Sequence, residues 1–213
     1  MAITRILLAT LVSVLVLAAA SGWADDYRQP RLLKKATLPQ SPSQTAPDLA
    51  QLAPVVTATA ALISAAGKQV GTAALTQQRS GVRLVLTLNG LPVGEHAFHI
   101  HAVGKCEPPF TSAGPHFNPA QKKHGLRSPE GHHAGDMWNL NVPAGGKVAL
   151  VVWNSDVTLD RGKPNSLFHE GGTSLVIHAG KDDHVSDPAG NAGDRIACGV
   201  ITAPAPKVAS PGN

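Results

Sequence analysis

The chain has few aromatic side chains, little charge and almost no cysteine. Aromatics are 4% of its 213 residues, so a core must be assembled from Val, Leu, Ile and Ala. Charged residues are 15%; Lys plus Arg 18 against Asp plus Glu 14 leaves a net +4, with no dense basic run. A face that tracks nucleic-acid phosphates needs clustered Lys and Arg, so nucleic acid is excluded as a partner. A local positive funnel for a small anion remains compatible with this balance. What the chain does have is 21 glycines and 17 prolines. Such turn-rich composition suits a loop-rich β protein better than a helix bundle. The length fits one domain with extensions, or two very small ones.

Residues 1–24, MAITRILLATLVSVLVLAAASGWA, place Arg5 before an apolar stretch from Ile6 to Ala20 and end in small residues. This is the pattern of a secretory signal, with cleavage after Ala20 or, preferred, Ala24. The apolar stretch is short for a membrane span, and no cysteine follows it to carry a lipid. The expectation is an exported chain without stable membrane insertion after signal removal. Export makes the two cysteines informative, because an oxidising compartment favours one disulfide, Cys106–Cys198. Residues 25–54 are rich in Pro, Gln and Ser, contain no histidine and read as a flexible tether.

From about Val55, short β-type segments recur between Gly, Asn and Ser turns: TATAALISAAG, QVGTAALTQQRSG, VRLVLTLNGLPVG and EHAFHIHAVG. This spacing predicts an antiparallel meander in a sandwich or barrel. Residues 105–135 carry Pro, Gly and His without a period, and a loop of that length inside a compact domain is functional more often than not. Further strands are expected at 137–142, 147–154, in TSLVIHAG and in RIACGVITA, separated by loops at 156–172 and 180–194. The total is eight strands and three long loops, with a Pro- and Ser-rich tail at 204–213.

The histidines carry the chemistry. The chain has ten. In AFHIHAVGKC, His99 and His101 share one face of a strand while Phe98 and Ile100 take the other. Two imidazoles on one strand cannot complete a coordination sphere, so they need partners from distant loops. His116 in GPHFNP, His124, His133 three residues before Asp136, and His178 at a strand end supply them. Imidazole and carboxylate suit zinc and copper.

AFHIHAVGKC, SAGPHFNP, HHAGD, SLVIHAG and GNAGDRIACGVI, in this order and near this spacing, resemble the motifs of the Cu/Zn superoxide dismutases in their exported, periplasmic bacterial form. The resemblance spans residues 55–203, the expected domain. It implies an all-β fold, an eight-stranded antiparallel Greek-key β-sandwich or barrel with long metal-binding and electrostatic loops. It implies one copper and one zinc per subunit, superoxide as substrate, and a monomer or homodimer. By motif, His99, His101, His116 and His178 resemble the copper ligands, and His116, His124, His133 and Asp136 the zinc ligands. His116 would be a shared imidazolate, which is reasonable because a cation on each nitrogen favours loss of the second proton. The family's His-x-Gly-Asp pattern selects His133 over its neighbour His132. Asp182 resembles the carboxylate that links a copper histidine (His99) to a zinc histidine (His124). Arg195, three residues before Cys198, resembles the arginine beside the copper that attracts the anionic substrate. His116 and Arg195 are therefore the expected catalytic pair.

The implied reaction is dismutation of superoxide to dioxygen and hydrogen peroxide by a copper that cycles redox state while zinc holds His116. Pro188-Ala189 stands where eukaryotic members carry Lys-Thr, leaving Lys181, Lys122 and Lys123 as candidates for steering superoxide. Trp138 is either a core or an interface residue. His96, His132, His169 and His184 match no motif and are expected at the surface. The competing reading is a non-enzymatic periplasmic copper/zinc binder on the same fold, which predicts a missing copper ligand or a missing arginine; neither is missing. A zinc hydrolase would need an open position and a free general-base carboxylate, and a copper-only dismutase would lack His124, His133 and Asp136.

Overall fold

The computed structural model describes residues 55–204. The expected signal segment, the tether and nearly all of the tail lie outside the described residues. Nine strands form, β1 (Thr57–Ser64), β2 (Gln69–Gln78), β3 (Gly81–Asn89), β4 (Gly94–His96), β5 (Phe98–His101), β6 (Leu140–Val142), β7 (Lys147–Asn154), β8 (Thr173–His178) and β9 (Arg195–Ile201). Among the described residues the only helical element is one turn at Thr111–Ala113.

Alternation builds the sheet. In β1, Ala58, Ala60 and Leu62 are buried while Thr59 and Ala61 are exposed; in β3, Val82, Leu84, Leu86 and Leu88 are buried. These inward rows pack with Leu75, Phe98, Ile100, Leu140 and Leu175 in one core. Fully burying one such side chain contributes roughly 1.5–3 kcal/mol. The strands pair antiparallel in the order β5-β8-β9-β1-β2-β3-β7, and β4 pairs with β6. Non-sequential neighbours such as β5 beside β8 and β9 beside β1 give the curled sheet its Greek-key character.

The expected single strand through EHAFHIHAVG divides at Ala97, so nine strands replace eight. Ala97 donates its N–H to Gly180 O (2.8 Å) and accepts from His178 N (2.9 Å). Before that point the chain pairs with β6; after it, with β8. Counted as one strand bent at Ala97, the barrel is eight-stranded.

β5 and β8 are buried on both faces. Phe98 and Ile100 enter the core, and the opposite row, His99 and His101, is roofed by the long loop. That loop is hydrogen-bonded to the free edge of β5, Ile100 N donating to Gly135 O (2.9 Å) and Phe117 N to Ile100 O (2.8 Å), and to itself, Gly135 N donating to Phe117 O (2.9 Å). A side chain at Gly135 would overlap Ile100 O. Glycine is therefore needed where the loop meets the strand.

Candidate metal centre

Two groups of four ligand atoms, each group lying within 4.8 Å, form under this roof: His99, His101, His116 and His178, and His116, His124, His133 and Asp136. They are the two sets read from the sequence, and they share His116. All seven residues are buried.

Hydrogen bonds fix which nitrogen of each ring faces inward. His101 Nδ1 donates to Gly114 O (2.8 Å) and His178 Nδ1 to Gly193 O (3.2 Å). A carbonyl can only accept, so in a neutral ring Nε2 is the lone-pair atom. Burial keeps these rings neutral, lowering His178 to about 4 and His101 well below its ordinary value. The two Nε2 atoms then face each other at 3.4 Å, lone pair to lone pair. Such an arrangement is repulsive unless a cation lies within reach of both.

His99 donates through Nε2 to Asp182 Oδ2 at 2.8 Å, which leaves Nδ1 buried without a partner, and His116 Nε2 is also buried without one. Burial drives His99 down to about 3, against the pull of Asp182. Buried polar atoms are rarely orphaned, so four unprotonated nitrogens converging in this way fit a copper ion.

The second set converges on Asp136. Its Oδ1 lies 2.9 Å from His116 Nδ1, 3.1 Å from His124 Nδ1 and 3.4 Å from His133 Nδ1. Its Oδ2 is already engaged by the N–H groups of Gly125 (2.9 Å) and His133 (3.0 Å). Burial would raise this carboxyl, but hydrogen bonds from His116, His124 and His133 outweigh burial and hold it far below the usual carboxylate range. Three imidazoles and one anionic oxygen form the closed donor set of a structural zinc.

Asp182 joins the sets, accepting from His99 Nε2, from His124 Nε2 (3.0 Å) and from His184 N (2.6 Å). Burial works against its charge, yet the bonds from His124 and His99 keep it ionised. Burial likewise disfavours the charged ring of His124, but Asp136 and Asp182 on its two nitrogens overcome this and raise it to about 9. Gly190 lies so close that any side chain there would overlap Asp182 Oδ1, and its φ of 63° also favours glycine.

Arg195 is half-buried, with Nη1 donating to Phe110 O (2.6 Å) and Nη2 to Gly114 O (2.7 Å). Gly114 O also accepts from His101, so the guanidinium is tied to the first set through one carbonyl. The Cys106–Cys198 disulfide is present, its Cα atoms 5.5 Å apart, and fastens the same loop to β9. Arg195, Thr111 and Gly193 line a cleft of about 670 Å³ that also contains Asp194, an acid beside the arginine.

Several side chains escaped the sequence reading. Asn139 holds the Asp182 backbone at both ends, Nδ2 donating to Asp182 O and Oδ1 accepting Asp182 N, each at 2.9 Å. Asp187 accepts the His124 N–H at 2.8 Å and pairs with Lys123 at 3.4 Å. No motif marked either residue, since each acts through backbone groups distant in sequence. Two surface expectations fail. His96 is buried because its ring reaches Pro92 O (2.9 Å) and His178 O (2.8 Å). His184 is buried because the loop folds its ring against Trp138, 4.7 Å between centroids. His132 is partly exposed and paired with Asp156, and His169 stacks on Phe117. Trp138 is 56% exposed, with Arg127 over its ring.

A family model described as copper/zinc superoxide dismutase matches residues 69–201. Superoxide dismutase (Cu-Zn) 1 of Aquifex aeolicus is 57% identical over 142 residues, 66% of this chain and 84% of that relative. Superoxide dismutase (Cu-Zn) of Caulobacter vibrioides is 40% identical over 148 residues, 68% of this chain and 84% of the relative. The crystal structure of a SOD-like protein from Bacillus subtilis superposes with a TM-score of 0.66 at 38% identity, covering 68% of this chain and 97% of that one. With both histidine sets, the disulfide and these matches in agreement, the chain belongs to the copper/zinc superoxide dismutase family.

Proposed function

We propose that this chain holds copper through His99 Nδ1 and the Nε2 atoms of His101, His116 and His178. Zinc is held through Nδ1 of His116, His124 and His133 together with Asp136 Oδ1. The protein is an oxidoreductase that converts two superoxide anions and two protons to dioxygen and hydrogen peroxide. When bound, copper supplies the one-electron chemistry and zinc a fixed positive charge.

The chain's own residues do the rest. Asp182 and the carbonyls of Gly114 and Gly193 fix the tautomers of His99, His101 and His178, so each of these three rings presents a lone pair without reorganising. Arg195 uses one N–H of each terminal nitrogen on carbonyls and keeps further donors for a small oxyanion. His116 Nε2, buried and otherwise unpartnered, takes up a proton and delivers it to the reduced product. The observation that carries this reading is the pair of buried ligand-atom clusters sharing one imidazole.

Metal analysis of the purified protein, with superoxide consumption measured before and after chelation, tests it. Copper and zinc near one each per chain, with activity lost on chelation and restored by copper, are expected. A chain that binds both metals without consuming superoxide is instead the binding protein of the competing reading. The domain runs from 55 to 203, preceded by a signal through Ala24 and a tether over 25–54. Export to the periplasm follows, and fractionation with N-terminal sequencing of the mature chain tests it. The assembly, monomer or homodimer, is read by sedimentation equilibrium.

A further inference from the structure

We propose that zinc reaches its ligands, and leaves them, through a cleft separate from the one containing Arg195, and that Lys122 at its rim slows that passage. This inference rests on the zinc assignment to His116, His124, His133 and Asp136. In that set the side chains of His124 and Asp136 have no exposure, whereas His116 retains 2% and His133 8%. His116 and His133 are also the two members of the set that line a cleft of about 650 Å³. The only side-chain surface the set retains is therefore on His116 and His133, and this cleft opens onto both.

The other walls of the cleft include Lys122, Lys123, Pro164 and Asp187, all exposed. Buried imidazoles form its floor and exposed residues its rim. The cleft around Arg195 contains neither His116 nor His133, so anion and cation have different approaches.

The charges at the rim have the wrong sign for a divalent cation. Lys123 is paired with Asp187, Nζ to Oδ2 3.4 Å, so its charge is partly offset. Lys122 has no carboxylate partner among the described residues, and its methylenes lie along Gly131. One ammonium about 10 Å from a divalent ion in a water-like dielectric lowers that ion's local population about fourfold without screening and about threefold at about 10 mM salt. The effect falls below about twofold near 0.15 M salt, where the screening length is about 8 Å. Uptake and loss are both slowed, and a bound zinc is retained longer than its ligands alone would achieve.

The test measures transfer of zinc from a fluorescent indicator to the zinc-depleted full chain, by stopped flow, with dismutation of the native protein assayed in parallel. K122Q should load zinc about threefold faster at about 10 mM salt, and the difference should shrink below about twofold at 0.15 M. P164W, which puts a large side chain at another lining position of the cleft, should slow loading severalfold. Copper loading and the equilibrium zinc affinity of both variants should match the wild type. Loading by K122Q within about 1.5-fold of wild type at low salt would remove the lysine from the proposal. An unchanged rate in P164W would place the zinc route elsewhere. A wild-type chain that takes up no zinc overturns the assignment beneath both, and is visible before either variant is made.

Discussion

Replacing Asp182 by Asn tests the electrostatic logic of the centre most directly. The carboxylate has no exposed side-chain surface and accepts three hydrogen bonds, from His99 Nε2 (2.8 Å), His124 Nε2 (3.0 Å) and His184 N (2.6 Å). Asparagine keeps the shape and one acceptor, but its NH₂ group must face either the His99 ring N–H, at the Oδ2 position, or both the His124 ring N–H and the His184 amide, at the Oδ1 position. Relief requires the ring it faces to move its proton to Nδ1, the atom assigned to a metal. A hydrogen bond to a charged group is worth about 1.5–3 kcal/mol. Loss of a partner that orients a metal-binding histidine typically costs about 10- to 100-fold in metal affinity. The expected outcome for D182N is therefore a fall of at least about tenfold in zinc or copper affinity, measured by chelator competition. The ¹⁵N shifts of His99 and His124 should report a changed tautomer in the affected ring. Asp183, the neighbouring carboxylate, touches neither ring, and D183N serves as the control with unchanged affinities. D182N with both affinities within about threefold of wild type, and both tautomers retained, would refute the reasoning.

Arg195→Gln should lower the rate of superoxide consumption and flatten its salt dependence while leaving metal content intact; an unchanged rate in low salt removes Arg195 from the mechanism. Reducing Cys106–Cys198, which closes a separation of 92 residues, should cost about 4–5 kcal/mol of stability in the chain-entropy model and weaken metal retention. A reduced protein that keeps full zinc and activity contradicts this. Stability of the metal-free protein should fall as pH drops from about 6.5 toward about 3. Unfolded imidazoles bind protons in that window, whereas folded His99 and His178 resist them down to about 3 and about 4. His124, raised to about 9, acts in the opposite sense, and its contribution is lost as pH rises through that value. Urea titrations across pH measure both arms, and a flat acid limb would show that the copper-set rings are not held neutral.

Much of the centre was legible in the sequence because its chemistry is local in pattern. Period two places His99 and His101 on one face whatever the rest of the chain does, and two cysteines permit one intramolecular bond. Alternation in TATAALIS and GVRLVLTLN fixed the inward rows of β1 and β3. The motif set also named His116, His124, His133, Asp136 and His178, whose ligand atoms the structure brings near one another in two groups. What no pattern could supply is the orientation of each ring. Which nitrogen faces the metal depends on the carbonyls of Gly114 and Gly193 and on the carboxylate of Asp182, and Asp182 lies 83 residues from His99. The bend at Ala97, the burial of His96 and His184, and the grips of Asn139 and Asp187 on the loops have the same origin. They arise from backbone polar groups that must find partners once water is excluded, and those partners are fixed by how the strands and loops pack in space.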